Sequence, residues 1–167
     1  MRSCALLAAL CCLLLAQGAN EWFKAGAKAS DRGDYQEAIK NYSLAIETDP
    51  KHLNSYLNRA SAYYYIGEYN ASIADNDVAV KLDPNNASAF KSRGVAYFAL
   101  GEYNASIADL TKAIKIDPSF DYAYYYRALA YLETNRSDEA KKDALIACDL
   151  GNCDLEQRLT AEGLFDD

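Results

Sequence analysis

The sequence predicts an all-α fold, a solenoid of antiparallel helix pairs, and two observations carry that prediction. GEYNASIAD stands at Gly67–Asp75 and again, letter for letter, at Gly101–Asp109. The interval of 34 residues also separates Pro50, Pro84 and Pro118, and it separates Gly33, Gly67, Gly101 and Asn135. A fixed period of this length marks stacked helical pairs, each burying one face against its neighbour.

The chain opens with MRSCALLAALCCLLLAQGAN. Arg2, an apolar run from Ala5 to Leu15 and the small-x-small Ala16-Gln17-Gly18 read as a cleaved secretory signal over 1–18. The apolar run is about half the ~20 residues that a membrane-crossing helix needs. Four units follow, at 19–52, 53–86, 87–120 and 121–154, and 155–167 is left as a C-terminal capping helix and tail bearing Leu155, Leu159 and Leu164.

Within a unit, counted from 1 to 34, position 4 is always aromatic: Trp22, Tyr56, Phe90, Tyr124. Position 8 is Gly26, Ala60, Gly94 or Ala128, position 20 is Ala38, Ser72, Ser106 or Ala140, and position 27 is Ala45, Ala79, Ala113 or Ala147. Rings at one level and tiny side chains at three others predict two helices at close range, because only Gly, Ala or Ser lets backbones approach so nearly. The first helix should span about positions 2 to 14, closed by a left-handed Gly or Asn at 15. The second should start near Tyr35, Tyr69, Tyr103 or Ser137 and stop at Asp-Pro, since proline disfavours helix in the residue before it.

This pattern resembles the tetratricopeptide repeat: Gly or Ala at 8, Tyr at 11, Gly at 15, Tyr at 17, Ala at 20 and 27, Pro at 32. The resemblance covers Ala19 to about Asn152 and implies a right-handed superhelical solenoid whose concave groove binds peptide segments. It departs from the family pattern at Ala29, where the other units have Tyr63, Tyr97 and Tyr131, and at Asn76, in place of a large residue. The fourth unit carries Asn135 for Gly, Ser137 for Tyr, and Leu150-Gly151-Asn152 for Asp-Pro.

The chemistry available is limited. Net charge is −7 over 167 residues with no run of Lys and Arg, which disfavours nucleic acid and anionic membranes as partners. His52 is the one histidine, placed in an inter-repeat turn and read as solvated, so neither a His metal cluster nor a proton relay can be built. No phosphate-cradling glycine loop follows a strand, and the many carboxylates read as turn residues or solvated surface. We therefore expect no enzyme, no cofactor, no metal site and no small-molecule substrate.

Five cysteines are present, and three lie in the leader. Cys148 occupies position 28, where Ile46, Val80 and Ile114 stand, so a buried thiol is one reading. Gly151-Asn152 can also fold the chain back towards Cys153, and a disulfide is the other. Asn70 and Asn104 fit the Asn-x-Ser pattern for N-linked sugar, although helix initiation explains the copied motif by itself. Asn41, Asn86 and Asn135 also match, with Asn41 expected in mid-helix.

By the resemblance, positions 2, 5, 6, 9, 12 and 13 face the groove. They place Phe23, Leu57, Asn58, Tyr64, Tyr65, Lys91, Phe98, Tyr122, Tyr125 and Tyr126 there, an aromatic lining with few charges and little rotamer entropy to lose. Relatives that grip chaperone C-terminal carboxylates use cations and amides at five positions, which here hold Phe23, Ala27, Asn58, Ser88 and Ser92. Only Asn58 matches, so a carboxylate-clamp adaptor is not expected. The leading expectation is a periplasmic, secreted or lumenal scaffold holding a partner peptide or helix. A co-chaperone for unfolded clients and a self-assembling structural unit remain as alternatives.

Overall fold

The computed structural model describes residues 18–161 and 163; the leader expected over 1–18, apart from Gly18, and most of the terminal tail lie outside them. The described secondary structure is helical throughout. Helix α1 covers 18–31, followed by α2 (Tyr35–Thr48), α3 (Leu53–Tyr65) and α4 (Tyr69–Leu82). Then come α5 (Ala87–Ala99), α6 (Tyr103–Ile116), α7 (Asp121–Glu133), α8 (Ser137–Asp149) and α9 (Asp154–Ala161). The protein is an all-α helical repeat. It divides into two compact units, Met1–Asp83 and Pro84–Asp167, which hold α1 to α4 and α5 to α9 respectively. None of the described helices is long and apolar enough to cross a membrane.

Each first helix closes in the same way. Gly33, Gly67 and Gly101 take φ of 76°, 82° and 80°, and Asn135 takes 57°. That left-handed residue lets the next amide turn back: Asp34, Glu68, Glu102 and Arg136 donate to the carbonyls of Ala29, Tyr63, Tyr97 and Tyr131 at 2.8–3.0 Å. Otherwise-orphaned carbonyls are satisfied within a turn of three residues. The second helices begin at Tyr35, Tyr69, Tyr103 and Ser137, as the spacing predicts. Asp34 caps α2, its carboxylate accepting from the Glu37 amide at 3.2 Å. Asp49, Asp83 and Asp117 are extended, with φ between −133° and −138°, because each precedes a proline.

The pairs meet through small residues. In the first unit Ala29, Ala38, Tyr42 and Ala62 are buried, with Phe23, Tyr35 and Ile39 packed on them. In the second, Ala128, Ala140 and Ala144 are buried with Leu155 and Leu159 of α9, which therefore covers the last pair as a cap. A Cβ on Gly26 would sit 2.6 Å from two ring carbons of Tyr42, and one on Gly94 would sit 2.8 Å from Leu110 Cγ. Positions 8 and 24 thus form a matched pair. Gly faces Tyr42 or Leu110, whereas Ala60 and Ala128 go with the smaller Asn76 and Ala144. Asn76 is fully buried, its Nδ2 donating to the Ser72 carbonyl at 3.0 Å while Oδ1 has no partner.

The ring expected in the core at Trp22 is 42% exposed, unlike Phe90 at 6% and Tyr124 at 8%. It lies on the first described helix, and no earlier described helix covers it. At the other end the sulfurs of Cys148, near the end of α8, and Cys153, just before α9, lie at disulfide distance. Gly151, at φ 106°, turns the chain between them. The disulfide reading of this pair is the one supported.

Candidate binding face

The residues expected to line the groove lie on the first helix of each pair, and each unit builds its own set. In the first unit Phe23 is partly buried, its ring centroid 5.8 Å from Tyr42 and 5.2 Å from His52. Tyr64 lies between Tyr65, at 6.1 Å, and Tyr69, at 5.3 Å. Tyr65 stacks nearly flat on Tyr35, at 4.7 Å and 11°, and is still 63% exposed. Leu57 is partly buried, and Asn58 turns its Nδ2 back to the Asn54 carbonyl at 2.8 Å. That amide donor serves its own helix.

In the second unit the rings form a chain. Phe98 packs on Tyr103 at 5.5 Å and meets Tyr126 edge-on at 5.8 Å; Tyr126 meets Tyr125 at 5.3 Å, and Tyr125 meets Tyr122 at 6.5 Å. Tyr122 stands at the outer end, 57% exposed. Edge-on packing fixes each ring by its neighbour, so a ligand meeting this row loses little side-chain entropy. Lys91 is partly buried, its ammonium 5.8 Å from the Phe120 ring centroid, and desolvation pushes its pKa down against a weaker pull upward from Asp121.

Three ion pairs tie the two helices of a pair together, α3 to α4, α5 to α6 and α7 to α8. Arg59 donates to both oxygens of Asp75 at 2.8 and 2.7 Å, Arg93 to those of Asp109 at 2.6 and 2.8 Å, and Arg127 to those of Asp143 at 2.6 and 2.8 Å. Each guanidinium also covers a position-4 ring: Arg59 over Tyr56, Arg93 over Phe90, Arg127 over Tyr124. Hydrogen bonding to Asp75 raises the pKa of Arg59. Burial would lower that of Arg127, but Asp143 outweighs it and the shift is upward. Arg59 further donates to Ser43 Oγ at 2.8 Å and Arg127 to Thr111 Oγ1 at 3.0 Å, so each reaches one pair back. In the first pair both partners are absent together, Ala25 standing for Arg and the buried Asn41 for Asp. No charge is left orphaned there.

These pairs correct the expectation that the carboxylates are solvated, since Asp75, Asp109 and Asp143 are buried. The signal was present in the sequence, as Arg and Asp recur 16 residues apart in three successive units. His52 is likewise not a free turn residue. Its Nδ1 lies 2.7 Å from Ser55 Oγ and its Nε2 3.3 Å from Asn20 Oδ1, joining α1 to the start of α3. Asn70 and Asn104 are exposed on the first turns of α4 and α6, whereas Asn41 is buried in α2.

The sequence profile of the TPR repeat matches residues 30–67, 60–101 and 94–135, well over half of the chain. No curated protein matches it. Among similar solved structures, MamA is 29% identical with a TM-score of 0.75, over 79% of this chain and 77% of that one. The first TPR of Spaghetti (RPAP3), bound to the HSP90 peptide SRMEEVD, is 27% identical with a TM-score of 0.71, over 72% of this chain and 95% of that one. A thermophilic TPR protein of Thermus thermophilus is 18% identical with a TM-score of 0.75, over 89% and 84%, a likeness of fold alone.

Proposed function

The chain belongs to the tetratricopeptide repeat family, and on that premise we propose that it holds an extended or helical segment of a partner protein against the rings of its first helices. Tetratricopeptide repeats are in general non-enzymatic interaction scaffolds, and a similar domain holds an HSP90 peptide. The observation that carries the reading is the pair of tyrosines, Tyr65 and Tyr122, each more than half exposed yet braced by a neighbouring ring. Large, rigid rings with a polar tip suit peptide capture. The partner is not the C-terminal carboxylate of a chaperone, because Phe23, Ala27, Ser88 and Ser92 offer no charge to offset its desolvation.

The compartment we propose is an exported one, on the pattern of residues 1–18 and the paired Cys148 and Cys153. N-terminal sequencing of protein from its own cells should begin after Gly18; an intact Met1 would remove the export reading. For the groove, partner recovery on immobilised chain is compared between wild type and a Tyr65→Ala, Tyr122→Ala variant. Both side chains are exposed, so the variant should keep its helicity while losing its partners. Equal recovery would show that the rings are idle.

A further inference from the structure

The partly buried cations Arg59, Arg93 and Arg127 are each neutralised by a carboxylate that accepts from them with both oxygens. Lys91 is treated differently. It is partly buried on α5 beside Phe120, and no carboxylate oxygen of the described residues lies within 4 Å of its ammonium. Asp121 acts on it only from farther away, too weakly to restore what burial removes. A partly desolvated ammonium with no carboxylate in ion-pair contact carries a cost, and one carboxylate brought against it gains a charge-assisted hydrogen bond at a site already partly dried. Its ring neighbour Phe120 immediately precedes α7, the helix that carries the exposed Tyr122 and, one turn on, Tyr125.

We propose that the second unit binds a partner segment carrying an internal aspartate or glutamate, whose carboxylate pairs with Lys91 while flanking apolar side chains lie on Tyr122, Tyr125 and Phe98. This rests on the groove reading above and adds to it the chemistry of the partner. It differs from a terminal-carboxylate grip, because one cation receives one side-chain carboxylate and the aromatic row receives the residues beside it. The charge supplies register and selectivity; the rings supply contact area.

The test is selection of displayed random dodecapeptides on the intact chain, on Lys91→Met and Lys91→Glu, and on the Tyr65→Ala, Tyr122→Ala variant, with circular dichroism confirming helicity of each. Wild type should enrich a single Asp or Glu at a constant distance from apolar residues. A synthetic peptide of that consensus should lose about tenfold or more in affinity on Lys91→Met, and as much again when its acid is changed to the amide. Lys91→Glu should enrich Lys or Arg at the same place. Consensus peptides without a fixed acid, bound equally by Lys91→Met, would overturn the inference and leave the groove reading standing. Peptides bound as well by the double tyrosine variant would overturn the groove reading itself. Failure of wild type to enrich any peptide would overturn both.

Discussion

Gly94 faces Leu110 so closely that a single methyl group should change sign in its effect with its neighbour. Replacing Gly94 by Ala puts Cβ 2.8 Å from Leu110 Cγ, 3.1 Å from Cδ2 and 3.3 Å from the Leu110 backbone nitrogen. Carbon atoms prefer about 3.5–4.0 Å, so the leucine has to retreat by roughly an ångström. It is fully buried, and overpacking of this kind costs about 1–3 kcal/mol. Against that, Ala is favoured over Gly inside a helix by about 1 kcal/mol. Gly94→Ala alone should therefore destabilise by about 1 kcal/mol, the clash outweighing the propensity. Leu110→Ala alone should cost about 3 kcal/mol, as a buried leucine leaves a cavity.

In the Leu110→Ala background the side-chain obstacle is gone, only the 3.3 Å approach to the backbone nitrogen remains, and the new methyl fills part of the space. Gly94→Ala should then stabilise by about 1 kcal/mol, a coupling of about 2 kcal/mol between the two sites. The doubly substituted pair is the one the chain already uses at Ala128 and Ala144. Urea unfolding of the four proteins, followed by circular dichroism at 222 nm, closes the cycle. If Gly94→Ala moves the midpoint in the same direction in both backgrounds, the matching of positions 8 and 24 is not what sets the helix separation.

Three further outcomes are expected. Asp143→Ala leaves a mostly covered guanidinium without its carboxylate and should cost up to about 3 kcal/mol, whereas joint replacement of Arg127 by Ala and Asp143 by Asn, the combination of the first pair, should cost clearly less by urea titration. Reduction of the Cys148–Cys153 pair should lower stability by about 2 kcal/mol at most, since the closed loop is short, and intact-mass analysis without reductant should find no free thiol at either cysteine. Asp117 accepts from Ser119 Oγ at 2.6 Å and from the Ser119 amide at 3.0 Å, which holds its carboxyl below the usual range. Its stabilising contribution is complete above the ordinary aspartate pKa and fades as pH falls through the lowered one; Ser119→Ala should move the Asp117 carboxyl carbon titration upward by NMR.

Much of this protein was legible from residue identity alone. The period, the left-handed closures at Gly33, Gly67, Gly101 and Asn135, and the pre-proline stops at Asp49, Asp83 and Asp117 follow from local backbone sterics, which need no knowledge of distant residues. The small residues at positions 8, 20 and 27 announced close helix pairs for the same reason. What the sequence by itself could not decide is which side chains find each other once the helices are paired. Arg59 reaching Asp75, His52 reaching Asn20, Tyr65 flattened on Tyr35 and Lys91 set beside the Phe120 ring depend on positions brought together by packing. Periodicity tells which face a residue takes; only tertiary contact determines whether its charge is met, its ring braced or its surface left for a partner.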